Sequence, residues 1–120
     1  MIMDNNSARE EDYLTAFQLI AVAGDARSLA IKAGQLAAEG RFSEAESHLE
    51  QARQALASSH ETQTDLLVEE ARGNPQPVNI FMVHAMDHLS IAIQAIDHGE
   101  DLLKVYRQLC ELRLRVDERK

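Results

Sequence analysis

The sequence predicts an all-α protein, an antiparallel three-helix bundle, because residues that make turns and aromatic residues are both scarce. The 120 residues include five glycines and two prolines, so few turns are expected and the helices between them must be long. Hydrophobic residues make up 45% of the chain, but aromatic residues only 4%. A core of this composition relies on Ala, Leu, Ile and Val, which suits closely packed helices. The length suits one domain, which we place at 13–116.

The first helix is predicted at 13–39 from a stripe of small apolar residues spaced three and four apart. Gly40 is expected to end the helix, because glycine adopts the left-handed C′ conformation without a steric penalty. Residues 1–12 are polar and acidic, unlike a signal peptide, and are predicted to form a flexible tail. The stripe consists of Tyr13, Phe17, Ile20, Ala23, Ala26, Ala30, Ala33 and Ala37.

The second helix is predicted at 43–72. Ser43 and Glu46 have the spacing of a capping box, in which each side chain bonds a free backbone N–H of the first turn. The Gly- and Pro-containing segment 72–77 is the clearest loop in the chain. The apolar stripe of the helix consists of Ala45, Leu49, Ala52, Leu56, Gln63 and Leu66.

The third helix is predicted at 79–115, with Asn79 as its N-cap. It carries two apolar stripes, whereas a helix in a monomeric bundle usually needs one. We therefore expect the second stripe to pack against another subunit. The first stripe is Met82, Ala85, Leu89, Ala92, Ile96, Leu103, Tyr106 and Cys110. The second stripe is Ile80, His84, Asp87, Ile91, His98, Leu102, Val105, Leu109 and Leu112.

Charge and composition exclude several classes of protein. Twenty acidic and twelve basic residues give a net charge of −8, which repels the phosphates of a nucleic acid. The single cysteine, Cys110, cannot form an intrachain disulfide and is predicted to be a buried, inert thiol. We found no apolar run of the length of a membrane span, so no membrane insertion is expected. We predict a cytoplasmic protein.

His84, Asp87 and His88 form the one cluster that can carry chemistry, because residues three and four apart are neighbours on a helix surface. They can be ordinary polar residues of a helix face. They can be ligands of a metal ion, although no sequence neighbour supplies a fourth strong ligand. Alternatively His84 can be a nucleophile that accepts and donates a phosphoryl group, since a neutral imidazole nitrogen is available near neutral pH. The residues alone leave all three interpretations open.

Several segments in order along the chain resemble one family. The segment VHAMDHLS at 83–90 is similar to the VHAQDHLM segment of the lactose/cellobiose-type IIA components of the bacterial phosphotransferase system. The resemblance extends over about residues 14 to 106. Its other parts are GDARSLA at 24–30, the helix connection at 40–45, HETQTDL at 60–66 and EARG at 70–73.

The resemblance implies a homotrimer of three-helix subunits that carries phosphate. Its members accept a phosphoryl group from the phosphocarrier HPr on a histidine and pass it to a cysteine of a IIB component. That component serves a IIC permease for a disaccharide of the lactose, cellobiose or chitobiose type. Carried over, His84 is the phosphorylated residue, with Nε2 the expected nitrogen. Asp87 from three subunits would face one divalent cation, Mg²⁺, on the trimer axis, with His88 as a neighbour of His84.

The sequence departs from the family pattern at two positions near His84. The family Gln is Met86 here, which removes an amide donor that could hold a phosphoryl oxygen, and the family Met is Ser90. A regulatory paralogue or a non-catalytic helical adaptor therefore remains an alternative to the carrier. His60, Gln63 and Thr64 match the family motif, and we predict supporting roles for His60 and Gln63. A buried polar set of these three residues in the bundle is the competing interpretation. The lactose, cellobiose and chitobiose types share these motifs, and no motif supports a role for His48 or His98.

Overall fold

A computed structural model of the chain describes residues 5–119, without the side chains of residues 5–9 and 12. This part of the chain is all-helical: α1 spans Asn5–Ala38, α2 Phe42–Ala71 and α3 Ile80–Glu118, with no strand among the described residues. Short connections make α2 antiparallel to α1 and α3 antiparallel to α2. The predicted fold of one chain is therefore confirmed, and the helix boundaries differ from the predicted ones by a few residues except at the start of α1.

The start of α1 lies earlier than the sequence indicated. Residues 5–12, predicted to lie in a flexible tail, continue the first helix in the structure, and residues 1–4 of that tail lie outside the described part of the chain. The physical reason is local, because Ala, Arg and Glu at 8–11 are strong helix formers and no Gly or Pro interrupts them.

Glycine ends both α1 and α2. Gly40 has φ +79° and Gly73 has φ +87°, the left-handed conformation that glycine adopts without strain. At the end of α1, the N–H of Gly40 bonds the carbonyl of Ala37 at 3.0 Å and that of Arg41 bonds Leu36 at 2.9 Å. These two bonds define a Schellman motif. The predicted stop at Gly40 is confirmed.

The predicted capping box at the start of α2 is wrong. The N-cap is Arg41, with no side-chain capping bond, so Ser43 already lies inside the helix. The guanidinium of Arg41 instead forms ion pairs with Glu44 at 2.5 Å and Glu39 at 3.2 Å. The hydrogen bond to Glu44 raises the pKa of Arg41 above its ordinary value. At α3 the prediction is confirmed, since the Asn79 side chain accepts a hydrogen bond from the N–H of Met82 at 2.9 Å.

The core is built from alanine and leucine of all three helices. The predicted stripe of α2 is buried as far as Leu56 and then continues through Ser59, which is 4% exposed. On α1, Tyr13 and Phe17 are wrong as core residues: they are 36% and 53% exposed and pack their rings against Phe81. The buried hydrophobic residues are Ala16, Leu19, Ala23, Ala26, Ala30, Ala33, Leu36, Ala37, Ala45, Leu49, Ala52, Leu56, Ala85, Leu89, Ala92, Ile96 and Leu103.

Gly99 allows the three helices to approach one another closely at the middle of the bundle. A Cβ added there would lie 2.8 Å from Leu49 Cδ2 of α2 and 3.3 Å from the carbonyl oxygen of Ala30 of α1. Ion pairs on the surface join α2 to α3 at Arg53 with Glu100 and at Arg107 with Glu46. A side chain at position 99 would therefore force Leu49 and the backbone at Ala30 to shift.

The two stripes of α3 have different environments. The first stripe is buried from Ala85 to Leu103, while Tyr106 and Cys110 at its end are only half-buried, so the prediction of a buried thiol holds in part. Every member of the second stripe is exposed in the single chain. The second stripe therefore leaves a long apolar surface open to solvent.

One helical stretch has the length and composition of a membrane span, contrary to the sequence-based expectation. It is Tyr13–Ala38 of α1. Its alanine stripe is buried against α2 and α3, and the core helix of a soluble bundle has the same composition.

Candidate functional site

The first turns of α3 hold the residues that the sequence singled out for chemistry. The cap at Asn79 sets the start of the helix, so that His84 and Asp87 follow within the first two turns on the exposed side. His88 lies one turn beyond His84 and is half-buried. The structure thus brings His84, Asp87 and His88 together, as the spacing predicted.

His84 and His88 are in direct contact through their rings. The ring centroids are 4.4 Å apart with an angle of 77° between the planes, and the two Nε2 atoms are 3.0 Å apart. A hydrogen bond at this distance needs one ring to donate and the other to accept. Either assignment occupies Nε2 of His84, as a donor or as an acceptor.

The hydrogen bond between His84 and His88 limits the reactivity of His84 Nε2. An incoming phosphorus atom needs the lone pair of that nitrogen, so the two rings must separate before Nε2 can react. A hydrogen bond of this kind contributes about 1 kcal/mol net, and an exposed side chain changes rotamer rapidly. His84 can therefore leave His88 at small cost, and Nδ1 stays outside the contact throughout.

Asp87 is exposed beside His84, and both line a shallow groove with Ile80, Phe81 and Val83. Among the described residues no group of three His, Cys, Asp or Glu side chains converges on a point that could hold a metal ion. Mg²⁺ takes an octahedral set of oxygen ligands, of which a single carboxylate supplies one or two and water the others. Within one chain Asp87 is the only carboxylate among the described residues that line this groove.

Gln63 reaches the site from α2, whereas His60 does not. The Gln63 amide donates to Met86 Sδ at 3.4 Å, a weak acceptor at the position where the resemblance leads one to expect an amide. His60 is exposed, and no described residue bonds its ring. Thr64 is also exposed. The interpretation that these residues form a buried polar set in the bundle is therefore wrong for His60 and Thr64.

An apolar groove next to His84 was missed by the sequence analysis. It has a volume of about 410 Å³ between the end of α2, the loop at 76–78 and the start of α3. Val83 lines both this groove and the one at His84. The available signal was Val78 before the N-cap and Val83 in the second turn, which have the spacing of a hydrophobic staple. The other apolar lining residues are Leu66, Leu67, Pro77, Met82 and Met86.

The sequence of this chain is similar to that of known proteins over most of its length. Residues 14–107 match the family described as the lactose/cellobiose-specific IIA subunit of the phosphotransferase system. A lactose-specific EIIA component of Staphylococcus epidermidis is 36% identical over 100 residues, covering 83% of this chain and 96% of that protein.

Two solved structures share both fold and sequence. The cellobiose-specific enzyme IIA of Bacillus anthracis superposes with a TM-score of 0.75 at 33% identity, covering 91% of this chain and 94% of that one. The IIA component in the IIA(chitobiose)–HPr complex of Escherichia coli gives a TM-score of 0.67 at 33% identity, covering 79% and 92%.

Proposed function

Since the chain belongs to the lactose/cellobiose-specific IIA family of the phosphotransferase system, we propose that it carries a phosphoryl group on His84 during sugar uptake. The observation that supports this most is the position of His84, which is exposed at the start of α3 within the family-like segment 83–90. A phosphoryl group is large and doubly charged, and only an exposed nitrogen can receive it from another protein.

The donor in this proposal is phosphorylated HPr. The bond between phosphorus and HPr breaks as a ring nitrogen of His84 bonds the same phosphorus, and the electron pair returns to HPr. His84 attacks as a neutral imidazole whose proton stays on its other nitrogen, so no base has to remove one. A relative of this chain has been solved in complex with HPr, which supports the choice of donor. The apolar groove beside Val83 offers a surface against which that donor can pack.

The acceptor is a cysteine of a IIB component. There the bond between phosphorus and His84 breaks, a bond to sulfur forms, and His84 returns to its neutral state for the next cycle. The sugar itself would be of the lactose, cellobiose or chitobiose type, and its selection lies with the membrane permease. A carrier that exchanges phosphate with HPr and IIB works in the cytoplasm.

The functional unit in this proposal is a homotrimer with one Mg²⁺ on its axis. The exposed second stripe of α3 is the surface that another copy would cover, and Asp87 belongs to that stripe. Three carboxylates on an axis would repel one another, and a shared divalent cation offsets that repulsion. Sedimentation of the wild type and of Asp87→Asn, each with and without EDTA, tests whether assembly depends on the Asp87 carboxylate and on a divalent cation.

Incubation with phosphoenolpyruvate, enzyme I and HPr, followed by intact-mass analysis, tests the carrier function. We expect one acid-labile phosphoryl group on the wild type and none on His84→Gln. His60→Gln serves as the matched control, because it removes another exposed histidine and should still be phosphorylated. A wild-type chain that stays unmodified while HPr is fully charged would refute the proposal.

A regulatory relative or helical adaptor is the second candidate, and the Met86–Gln63 contact is the observation that favours it. With a thioether at position 86, one amide that could hold a phosphoryl oxygen is missing. This candidate predicts that intact-mass analysis finds no phosphoryl group on the wild type in the presence of fully charged HPr, and that His84→Gln leaves the binding of the protein partner unchanged.

A further inference from the structure

His98 is a polar residue in an otherwise apolar part of the second stripe. Its side chain is exposed, and it lines a groove between α1 and α3 that Ile91 and Leu102 also line. No described residue forms a hydrogen bond or ion pair with its ring. If another copy of the chain covers this stripe, an imidazole without a partner becomes buried, which is unfavourable unless the assembly itself supplies a partner.

The position of His98 relative to Asp87 follows from helix geometry. The two residues are eleven positions apart. At 100° per residue, eleven residues complete three turns with about 20° left over, and they rise about 16 Å along the helix. A symmetry axis that Asp87 faces is therefore also faced by His98, three turns further along α3.

We propose that three His98 side chains, one from each subunit, form a second metal site on the trimer axis, selective for Zn²⁺ or a similar transition-metal ion. This inference rests on the trimer proposed above, because one chain supplies only one of the three ligands. Cyclic symmetry places the three residues at equal height around the axis. Three imidazole nitrogens with water in the fourth position are a ligand set that Zn²⁺ accepts.

The side chains at the two axial positions prefer different metal ions. Carboxylates at Asp87 favour hard cations such as Mg²⁺, whereas imidazoles at His98 favour borderline ions such as Zn²⁺, Co²⁺ and Ni²⁺. Asp101 lies one turn after His98 and about 40° from the direction of Asp87, so its carboxylate can receive the second N–H of a ligating ring. Glu100, two residues after His98, lies on the opposite face of α3, where it forms an ion pair with Arg53 of α2. Arg27 lines the α1 side of the groove and is the opposing positive charge.

Equilibrium dialysis of the trimer against Zn²⁺ in the presence of excess Mg²⁺ tests the proposal. His84 and His88 are another pair that could take up zinc, so the measurement is made on the wild type and on the double variant His84→Gln/His88→Gln. We expect one Zn²⁺ per three chains that persists in the double variant and in Asp87→Asn wherever the trimer does. His98→Leu, which keeps the stripe apolar, and His98→Gln should each lose it.

The oligomeric state, measured by light scattering on the same samples, separates the possible failures. A trimer that binds no zinc, or whose zinc survives His98→Leu, overturns the His98 site and leaves the proposed carrier trimer intact. One zinc per chain, lost in the double variant, would mean that the exposed His84–His88 pair is the only site. A chain that is not trimeric overturns both this site and the proposed assembly, while phosphorylation of His84 is still measured independently.

Discussion

The two stripes of α3 are both apolar along the sequence, but only one of them is covered in the folded chain. Leu89 of the first stripe is 0% exposed and packs against α1 and α2. Val105 and Leu112 of the second stripe are each 56% exposed, and Ile80 is 76% exposed. The exposed stripe is also the one that holds His84, Asp87 and His98.

This difference separates two uses of an apolar helix face. The first stripe stabilises the fold of one chain by burying its side chains, at about 25 cal/mol for each Å² removed from water. The second stripe contributes nothing of this kind until another molecule covers it, and an exposed patch of this length marks an interaction surface. Polar groups are absent from the buried part of the first stripe and present in the exposed second stripe.

Truncation of the first stripe should have the largest effect on stability. Leu89→Ala is expected to lower the free energy of unfolding by about 2–5 kcal/mol, because it leaves a cavity in a fully buried position. Urea denaturation followed by circular dichroism measures this loss. Leu114→Ala is the matched control, since Leu114 is 58% exposed near the end of α3 and its truncation should change stability by no more than about 0.5 kcal/mol. Equal effects at both positions would contradict the assignment of the inner face.

A charge in the second stripe should disrupt the assembly and spare the fold. Val105→Glu places like charges around the proposed axis, and we expect the dissociation constant of the assembly to rise by about 100-fold or more, which corresponds to about 3 kcal/mol. Sedimentation at several protein concentrations measures it, with helicity followed in parallel.

Ala57→Glu is the control for this variant, because it adds the same charge at an exposed position of α2. Its assembly should match that of the wild type. An unchanged assembly in Val105→Glu would show that the second stripe is not the contact between subunits.

The smallest expected effect concerns Met86, which lies beside the site and carries a thioether where the family pattern has an amide. Met86→Gln should raise the rate of phosphoryl transfer from HPr by about 2- to 10-fold, the equivalent of one hydrogen bond. Quenched-flow measurement of phosphorylated protein gives the rate. Met86→Leu tests whether polarity matters, and equal rates in both variants would exclude a role for the amide.

The helices and the cluster on α3 could be predicted because they depend on local spacing. Gly40 and Asn79 act through their own backbone neighbours, and His84, Asp87 and His88 meet through the pitch of one helix. The capping box failed because the Schellman turn after α1 starts α2 at Phe42, one residue before the predicted start. The spacing of Ser43 and Glu46 could not show that the end of α1 determines where α2 begins.

Features that depend on contacts between helices were harder to predict. The Gln63–Met86 contact and the apolar groove beside Val83 join residues of α2 and α3 that are distant in sequence. The ring of Phe17 packs against Phe81 of α3 and stays 53% exposed, which the periodicity of α1 alone does not show. The periodicity of α3 showed that two faces are apolar, but only the packed structure shows which of them a single chain covers.

Onward transfer from phosphorylated protein to a purified IIB component tests the carrier function most directly. Phosphorylated chain, separated from HPr and enzyme I, is mixed with IIB, and both intact masses are followed over time. We expect the phosphoryl group to leave His84 and appear on the IIB cysteine, and a IIB variant without this cysteine to leave the chain phosphorylated. A chain that accepts phosphate from HPr but keeps it in the presence of intact IIB would contradict a carrier and favour a regulatory function.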